Sequence, residues 1–376
     1  MLRLSKISSA LFLALLALSA CTPQAKEDGP INVIFLIGDG MGLPQVSSAF
    51  YFGDDAPNFL QFEKIGLMKT NSSSHKVTDS AAAATAMATG VRSYNRAISV
   101  SPDSLSVPSI LELLRDQAGY QTGLVSLTTI THATPACFYA HVEDRDQHED
   151  IAAQLATARV DFFAGGGLKY FTQRKDQRNL YQELLGSNYH LDSLQLSAYD
   201  PAKKNGYFLA SESLPSKVEG RGNFLPDATQ LGLDYLSESG KPFFLMVEGS
   251  YIDWAGHAEN DTMLIQEMAD FNETLGVVLA YLEKHPNTLL VVTADHETGG
   301  VSLDKQYEAY KVFGQQKVIP SEVAIRFNSN QHSAELVPVF AKGPGEDYFQ
   351  GIYQNNEIYF RMLQALNIQS FSNIRP

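Results

Sequence analysis

Alternating strand-like and helical segments predict an α/β fold, a single domain with a central, mostly parallel β-sheet flanked by helices. Three observations carry this prediction. Apolar runs of strand length recur along the chain, helical stretches separate them, and three of the runs end on a carboxylate. Hydrophobic residues make up 44% of the 376-residue chain, ample for a large core, and no internal repeat or low-complexity tract interrupts it. Length alone would allow two domains. The residues with chemical potential are scattered from Asp39 to His332, however, so one domain must bring both ends together.

Taken in order, Ile31–Ile37 is a continuous apolar run and reads as a buried strand. It leads into Gly38-Asp39-Gly40-Met41-Gly42, whose glycines permit a tight turn at the strand's carboxyl end. Ligands bind at that end in open α/β sheets. Val77–Gly90 is a polar step followed by an alanine-rich run. Alanine is the strongest helix former and Thr78 or Asp79 is a natural N-cap, so Ser80 falls in the first turn, among free backbone N–H groups that attract anions. Asp161–Gly167 reads as a strand into a glycine turn, without the spaced glycines of a nucleotide fingerprint. Phe243–Glu248 and Leu289–His296 are further strands, the first ending in an acid and the second in an acid and an imidazole. Asp253 and His257 are four apart and share one face of a helical turn, although Gly256 weakens that helix. His332 precedes the strand-like Leu336–Ala341. Segments near 168–240 and 303–327 read as surface insertions.

A buried, unpaired carboxylate is expensive, so acids that converge imply cations among them. Asp39, Glu248, Asp253 and Asp295 with His257 and His332 match the mixed nitrogen and oxygen sets that zinc and magnesium take, and neither metal needs cysteine. These segments resemble those of the alkaline phosphatases, in the family's order from about Ile31 to about Gly345. The resemblance implies that Ser80 is the phosphorylated nucleophile and that Asp253, His257 and His332 hold one zinc. It assigns Asp39, Asp295 and His296 to a second zinc beside Ser80, and Asp39, Thr134 and Glu248 to a magnesium. Arg145 matches the family's phosphate-clamping arginine. Trp254 stands at a substrate-facing position where many bacterial relatives carry a lysine, and His132 where they carry an aspartate near magnesium. His132 either ligates that site or packs beside its ligands.

The reaction so implied is hydrolysis of small phosphate monoesters to an alcohol and inorganic phosphate through phosphoserine, with two Zn2+ and one Mg2+ as cofactors. A zinc beside the serine oxygen favours the alkoxide, as zinc lowers the pKa of bound water from about 15.7 to about 7. Arginine's planar fork suits the remaining phosphoryl oxygens. The alternatives are a phosphodiesterase or sulfatase of the same superfamily, or a non-catalytic lipoprotein that captures zinc or phosphate. Asp79-Ser80 at the head of the alanine run and Arg145 favour the monoesterase, and no Cys/Ser-x-Pro-x-Arg sulfatase motif is present.

Arg3 and Lys6 precede a short apolar run, Leu11–Leu18, and Leu18-Ser19-Ala20-Cys21 resembles a bacterial lipobox. The run is too short for a comfortable membrane span. Residues 1–20 therefore read as a lipoprotein signal peptide, 21–29 as a linker lipidated at Cys21, and 30–376 as the catalytic domain. The expectation is an exported lipoprotein of the bacterial cell envelope, held to the membrane by its lipid on the periplasmic or surface side. Ordinary signal cleavage is the alternative. Cys137 is the only other cysteine, reads as a buried apolar residue, and leaves no intrachain disulfide in the mature protein. A net charge of -14 argues against a nucleic-acid partner. It does not exclude small phosphate esters, because bound cations govern the local field. The resemblance also admits a homodimer. His75, His141, His148, His190 and His285 match no ligand position and read as surface or packing residues.

Overall fold

Strands buried on both faces must be apolar at successive positions, and β1 (Asn32–Gly38), β7 (Phe243–Gly249) and β8 (Thr288–Thr293) meet that demand at the centre of the sheet. The computed structural model describes residues 31–53, 56–312 and 315–368; the expected signal peptide and the linker expected to carry lipid at Cys21 lie outside them. Also in the sheet are β2 (Lys64–Lys69), β3 (Gln121–Thr129), β4 (Phe162–Gly166), β5 (Tyr189–Asp192), β6 (Lys204–Phe208), β13 (Val337–Lys342) and β14 (Gly351–Gln354). Its ten strands run in the order β14-β2-β13-β8-β1-β7-β3-β4-β6-β5. Every pairing is parallel except those of β13, which lies antiparallel to both β2 and β8.

Register sets up the site. Ile37 of β1 pairs with Glu248 on one side and Thr293 on the other, while Ser126 of β3 pairs with Glu248. The carboxyl ends of β1, β7 and β8 are therefore level, and Asp39, Glu248 and Asp295 emerge along one edge with Ser126 of β3 beside Glu248. The apolar run at Leu289–His296 stops being strand at Thr293; Asp295 and His296 lie in the turn before the two-residue strand β9 (Glu297–Thr298). β9 pairs with β12 (His332–Ser333), which carries the distant His332 back to this edge.

The 168–240 segment is more than a surface excursion. It supplies β5 and β6 at the sheet edge and the helix Phe224–Glu238, which packs on β3, β4 and β7 with Leu225, Leu233 and Leu236 fully buried. The 303–327 segment forms a separate antiparallel pair, β10 (Ser302–Val312) and β11 (Gln315–Arg326). Among the described residues no helix is long and apolar enough to cross a membrane.

Candidate active site

Asp79, rather than Thr78, caps the alanine-rich helix Ser80–Thr89: its backbone is extended and its Oδ1 accepts from Ala82 N at 3.0 Å. The Thr78 hydroxyl is turned away and donates to Asp79 O. Every residue of this helix is buried, and a run of alanines is what lets it pack so deeply. Ser80 is the first helical residue, and its Oγ lies 3.4 Å from His296 Nε2.

Three clusters of metal-binding type surround that hydroxyl, and the candidate ligand atoms within each lie within 4.8 Å of one another. The first joins Asp253, His257 and His332. His257 Nδ1 faces Asn330 O at 2.7 Å and His332 Nδ1 faces Thr78 O at 3.0 Å. A carbonyl only accepts, so each Nδ1 carries the proton and each Nε2 presents a lone pair. Those two Nε2 atoms are 3.1 Å apart, with Asp253 Oδ1 at 3.3 and 3.5 Å. Three lone pairs pointed at one space repel each other unless a cation occupies it. The helix Tyr251–His257 that brings Asp253 and His257 together runs straight through Gly256. A Cβ there would sit 2.7 Å from Thr298 O, so glycine is the residue that allows this approach.

The second cluster joins Asp39, Asp295 and His296, all fully buried. His296 Nε2 stands 3.2 Å from Asp295 Oδ2 and 3.5 Å from Asp39 Oδ1. Asp295 Oδ1 is fixed by Gly40 N at 3.0 Å and His296 N at 2.9 Å, whereas its Oδ2 and both oxygens of Asp39 have no hydrogen-bond partner. Asp39 is shared with the third cluster, which adds His132 and Glu248. Glu248 Oε2 accepts from Ser126 Oγ at 2.5 Å, while Glu248 Oε1 and the buried Thr134 Oγ1 are unpartnered.

Electrostatics agree with the geometry. Burial, then the charges of Asp295, Asp253 and Glu248, push the Asp39 carboxyl well above its ordinary range. Burial also raises Asp295, and it pushes Glu248 up to about 7. Burial holds the His132 and His296 rings well below their ordinary value. Orphaned buried oxygens, imidazole lone pairs and the absence of sulfur fit hard or borderline divalent cations.

Arg145 lies beside the start of the Ser80–Thr89 helix, with Nη1 3.2 Å from Asp79 Oδ2 and Nη2 3.3 Å from His132 Nε2. Its backbone N–H donates to Arg96 O, and the Arg96 guanidinium holds Asp144 through two bonds of 2.8 Å and also pairs with Asp146. The loop carrying Arg145 is thus pinned to the helix cap. Trp254 is partly buried, edge-on to Tyr251 at 4.5 Å and to His132 at 6.4 Å. Sequence reasoning missed Ser126, Thr298 and Arg96; β3 mixes polar and apolar residues along its length, so nothing local marks Ser126. The remaining histidines stay outside the three clusters: His141, for example, bonds Ser99 O and Glu112. Cys137 is buried and free, and burial pushes its thiol up to about 12.

The profile of the alkaline phosphatase family matches residues 31–323. The chain is 36% identical to alkaline phosphatase 3 of Bacillus subtilis, over 91% of this chain and 90% of that protein. It is 32% identical to alkaline phosphatase 4 of the same organism, over 89% of each. Among solved structures, the alkaline phosphatase of the Antarctic bacterium TAB5 superposes with a TM-score of 0.86 at 44% identity, covering 91% of this chain and 99% of that one. A TAB5 variant with aspartate in place of a histidine, which has magnesium bound in its M3 site, gives 0.87 at 45% identity. On sequence, fold and site together, the chain belongs to the alkaline phosphatase family, a family of metal-dependent phosphatases that act on phosphate monoesters.

Proposed function

We propose that hydrolysis proceeds through a phosphorylated Ser80, with two zinc ions and one magnesium ion bound. The observation that carries this reading is the Ser80 hydroxyl at the start of a buried helix, 3.4 Å from His296 Nε2, with Arg145 paired to the adjoining cap residue Asp79. Asp253, His257 and His332 would hold one zinc, Asp39, Asp295 and His296 the second, and Asp39, Thr134 and Glu248 the magnesium, with His132 beside it or in it. When bound, these cations supply a field that favours the Ser80 alkoxide and neutralises charge on the phosphoryl group and leaving oxygen.

The chain's own residues do the rest. Ser80 Oγ attacks phosphorus, and the ester oxygen leaves with the alcohol. The free N–H groups of the first helical turn and the paired Arg145 donors hold the phosphoryl oxygens, and Asp79 keeps the guanidinium aligned before substrate arrives. Water then attacks phosphorus, Ser80 Oγ departs and regains a proton, and inorganic phosphate is released. Trp254 and His132 wall the substrate side. A diester offers one fewer charged oxygen to Arg145, which disfavours that alternative. We further propose a lipid on Cys21, with residues 1–20 removed, as the link to the bacterial cell envelope, and a homodimer as the assembly.

Ser80→Ala tests the core of this reading. Turnover should fall by several powers of ten, each about 1.36 kcal/mol of barrier, while metal content stays at the wild-type level. Acid quench of the wild type during aryl phosphate hydrolysis should leave phosphate on the peptide containing Ser80. Near-wild-type turnover in the variant, or phosphate trapped on another residue, refutes it.

A further inference from the structure

We propose that Thr298 is a positioning residue that ties the two histidine-bearing zinc clusters together, fixing the tautomer of His296 and the orientation of Asp253 through one hydroxyl; this rests on the metal assignment above. Thr298 Oγ1 lies 2.5 Å from Asp253 Oδ1 and 3.1 Å from His296 Nδ1. A carboxylate has no proton to give, so the hydroxyl donates its single proton to Asp253. Its oxygen is then an acceptor, and the bond from His296 Nδ1–H follows. His296 Nε2 is left as a lone pair, and that is the atom that faces Asp39 and Asp295. With Nε2 protonated instead, Nδ1 would have to accept from a hydroxyl whose only proton is committed elsewhere.

The bonded oxygen of Asp253 is also the one that faces His257 and His332, so Thr298 orients the ligating atom itself. The side chain cannot turn away from this role. A Cβ on Gly40 would lie 2.9 Å from Thr298 Oγ1, and one on Gly256 would lie 2.9 Å from Thr298 Cγ2, so two glycine backbones enclose it. Its main chain is pinned as well, through pairing with His332 and a bond from Thr298 N to Gly40 O at 3.2 Å. Partners of this kind, one bond removed from the metal, typically change metal affinity by about 10- to 100-fold when lost. Losing a threonine that partners ligands of both clusters should weaken both.

The test uses zinc-loaded wild type, Thr298→Val and Thr298→Ser, equilibrated against graded chelator, with retained zinc counted by mass spectrometry. Thr298→Val keeps the shape and removes the hydroxyl, and both zincs should be lost at a roughly 10- to 100-fold weaker chelator demand. Thr298→Ser keeps the hydroxyl and should hold both zincs close to the wild-type level. Melting of the three metal-stripped proteins should coincide. Wild-type retention in Thr298→Val, weakening of a single zinc, a serine variant as weak as the valine, or a large melting difference between stripped proteins each overturns the inference while leaving the metal assignment intact. A wild type that retains no zinc in the first place overturns that assignment, and this inference with it.

Discussion

Glu248→Gln separates what the cations contribute from what the fold tolerates. In the metal-free fold, burial raises the Glu248 carboxyl from an ordinary 4.5 to about 7. The folded protein therefore holds a proton there that the unfolded chain has released. That stabilising contribution is fully present below about pH 4.5 and is lost as pH rises through about 7. Converted at about 1.36 kcal/mol per pH unit, the gap between the two values is roughly 3 kcal/mol. Glutamine never ionises, yet it keeps an acceptor for Ser126 Oγ. Stripped of metal, the variant should match wild type within about 1 kcal/mol near pH 5 and exceed it by roughly 3 kcal/mol near pH 8.5. Burial-depressed His132 and His296 lose stability as pH falls in both proteins and cancel in the difference. Removing the Glu248 charge also eases ionisation of Asp39 and Asp295, which adds to the gap at high pH in the same direction. With zinc and magnesium restored the order should reverse, because the ionised carboxylate then has a cation to bind. Urea unfolding at matched pH, stripped and loaded, reads both signs. A metal-free gap that does not change with pH, or a stripped variant less stable than wild type near pH 8.5, would refute the reasoning.

Arg145→Ala should weaken inhibition by phosphate and lower monoester kcat/KM by about 2–4 kcal/mol, with much less effect on a bis-aryl diester; equal damage to both substrates would remove its role as a clamp. Asp79→Ala removes the helix cap and should cost about 1–2 kcal/mol in urea unfolding, whereas Asp79→Asn, which keeps the acceptor facing Ala82 N, should cost far less; equal losses would show that the cap bond is not what matters. Cys21→Ala should abolish partition into detergent and the mass of an attached lipid, and a wild-type N-terminus found unmodified at another position would support ordinary secretion instead.

Much of the fold was legible because strands buried on both faces cannot hide their composition. β1, β7 and β8 appear as apolar runs whose expected ends differ from the observed ones by at most three residues. The acids were legible for the same reason, since a carboxylate ending such a run must be satisfied by something. β5 and β6 were not, because they span only four and five residues and the polar Lys204, Asn205 and His190 break any apolar run there. No local pattern links His332 to His257, 75 positions apart; the family resemblance linked them, and the pairing of β12 with β9 supplies the physical route. Thr298 and Ser126 were invisible for a different reason. Hydroxyl residues occur everywhere, and what a hydroxyl does depends on which acceptor and which donor tertiary packing places beside it.

Phosphoryl transfer asks a protein mainly for position and fixed charge, and one carboxylate shows how the fold provides both. Asp79 Oδ1 accepts from Ala82 N and so sets the start of the helix on which Ser80 sits. Asp79 Oδ2 accepts from Arg96 N at 3.0 Å and faces Arg145 Nη1 at 3.2 Å. The same residue thereby sets the proposed nucleophile, the loop behind it and the proposed phosphate clamp. A bond that caps a helix is made on folding whether or not substrate is present. The spacing between Ser80 and Arg145 is consequently a property of the folded chain rather than of the bound complex, and ordering them costs nothing further when phosphate arrives.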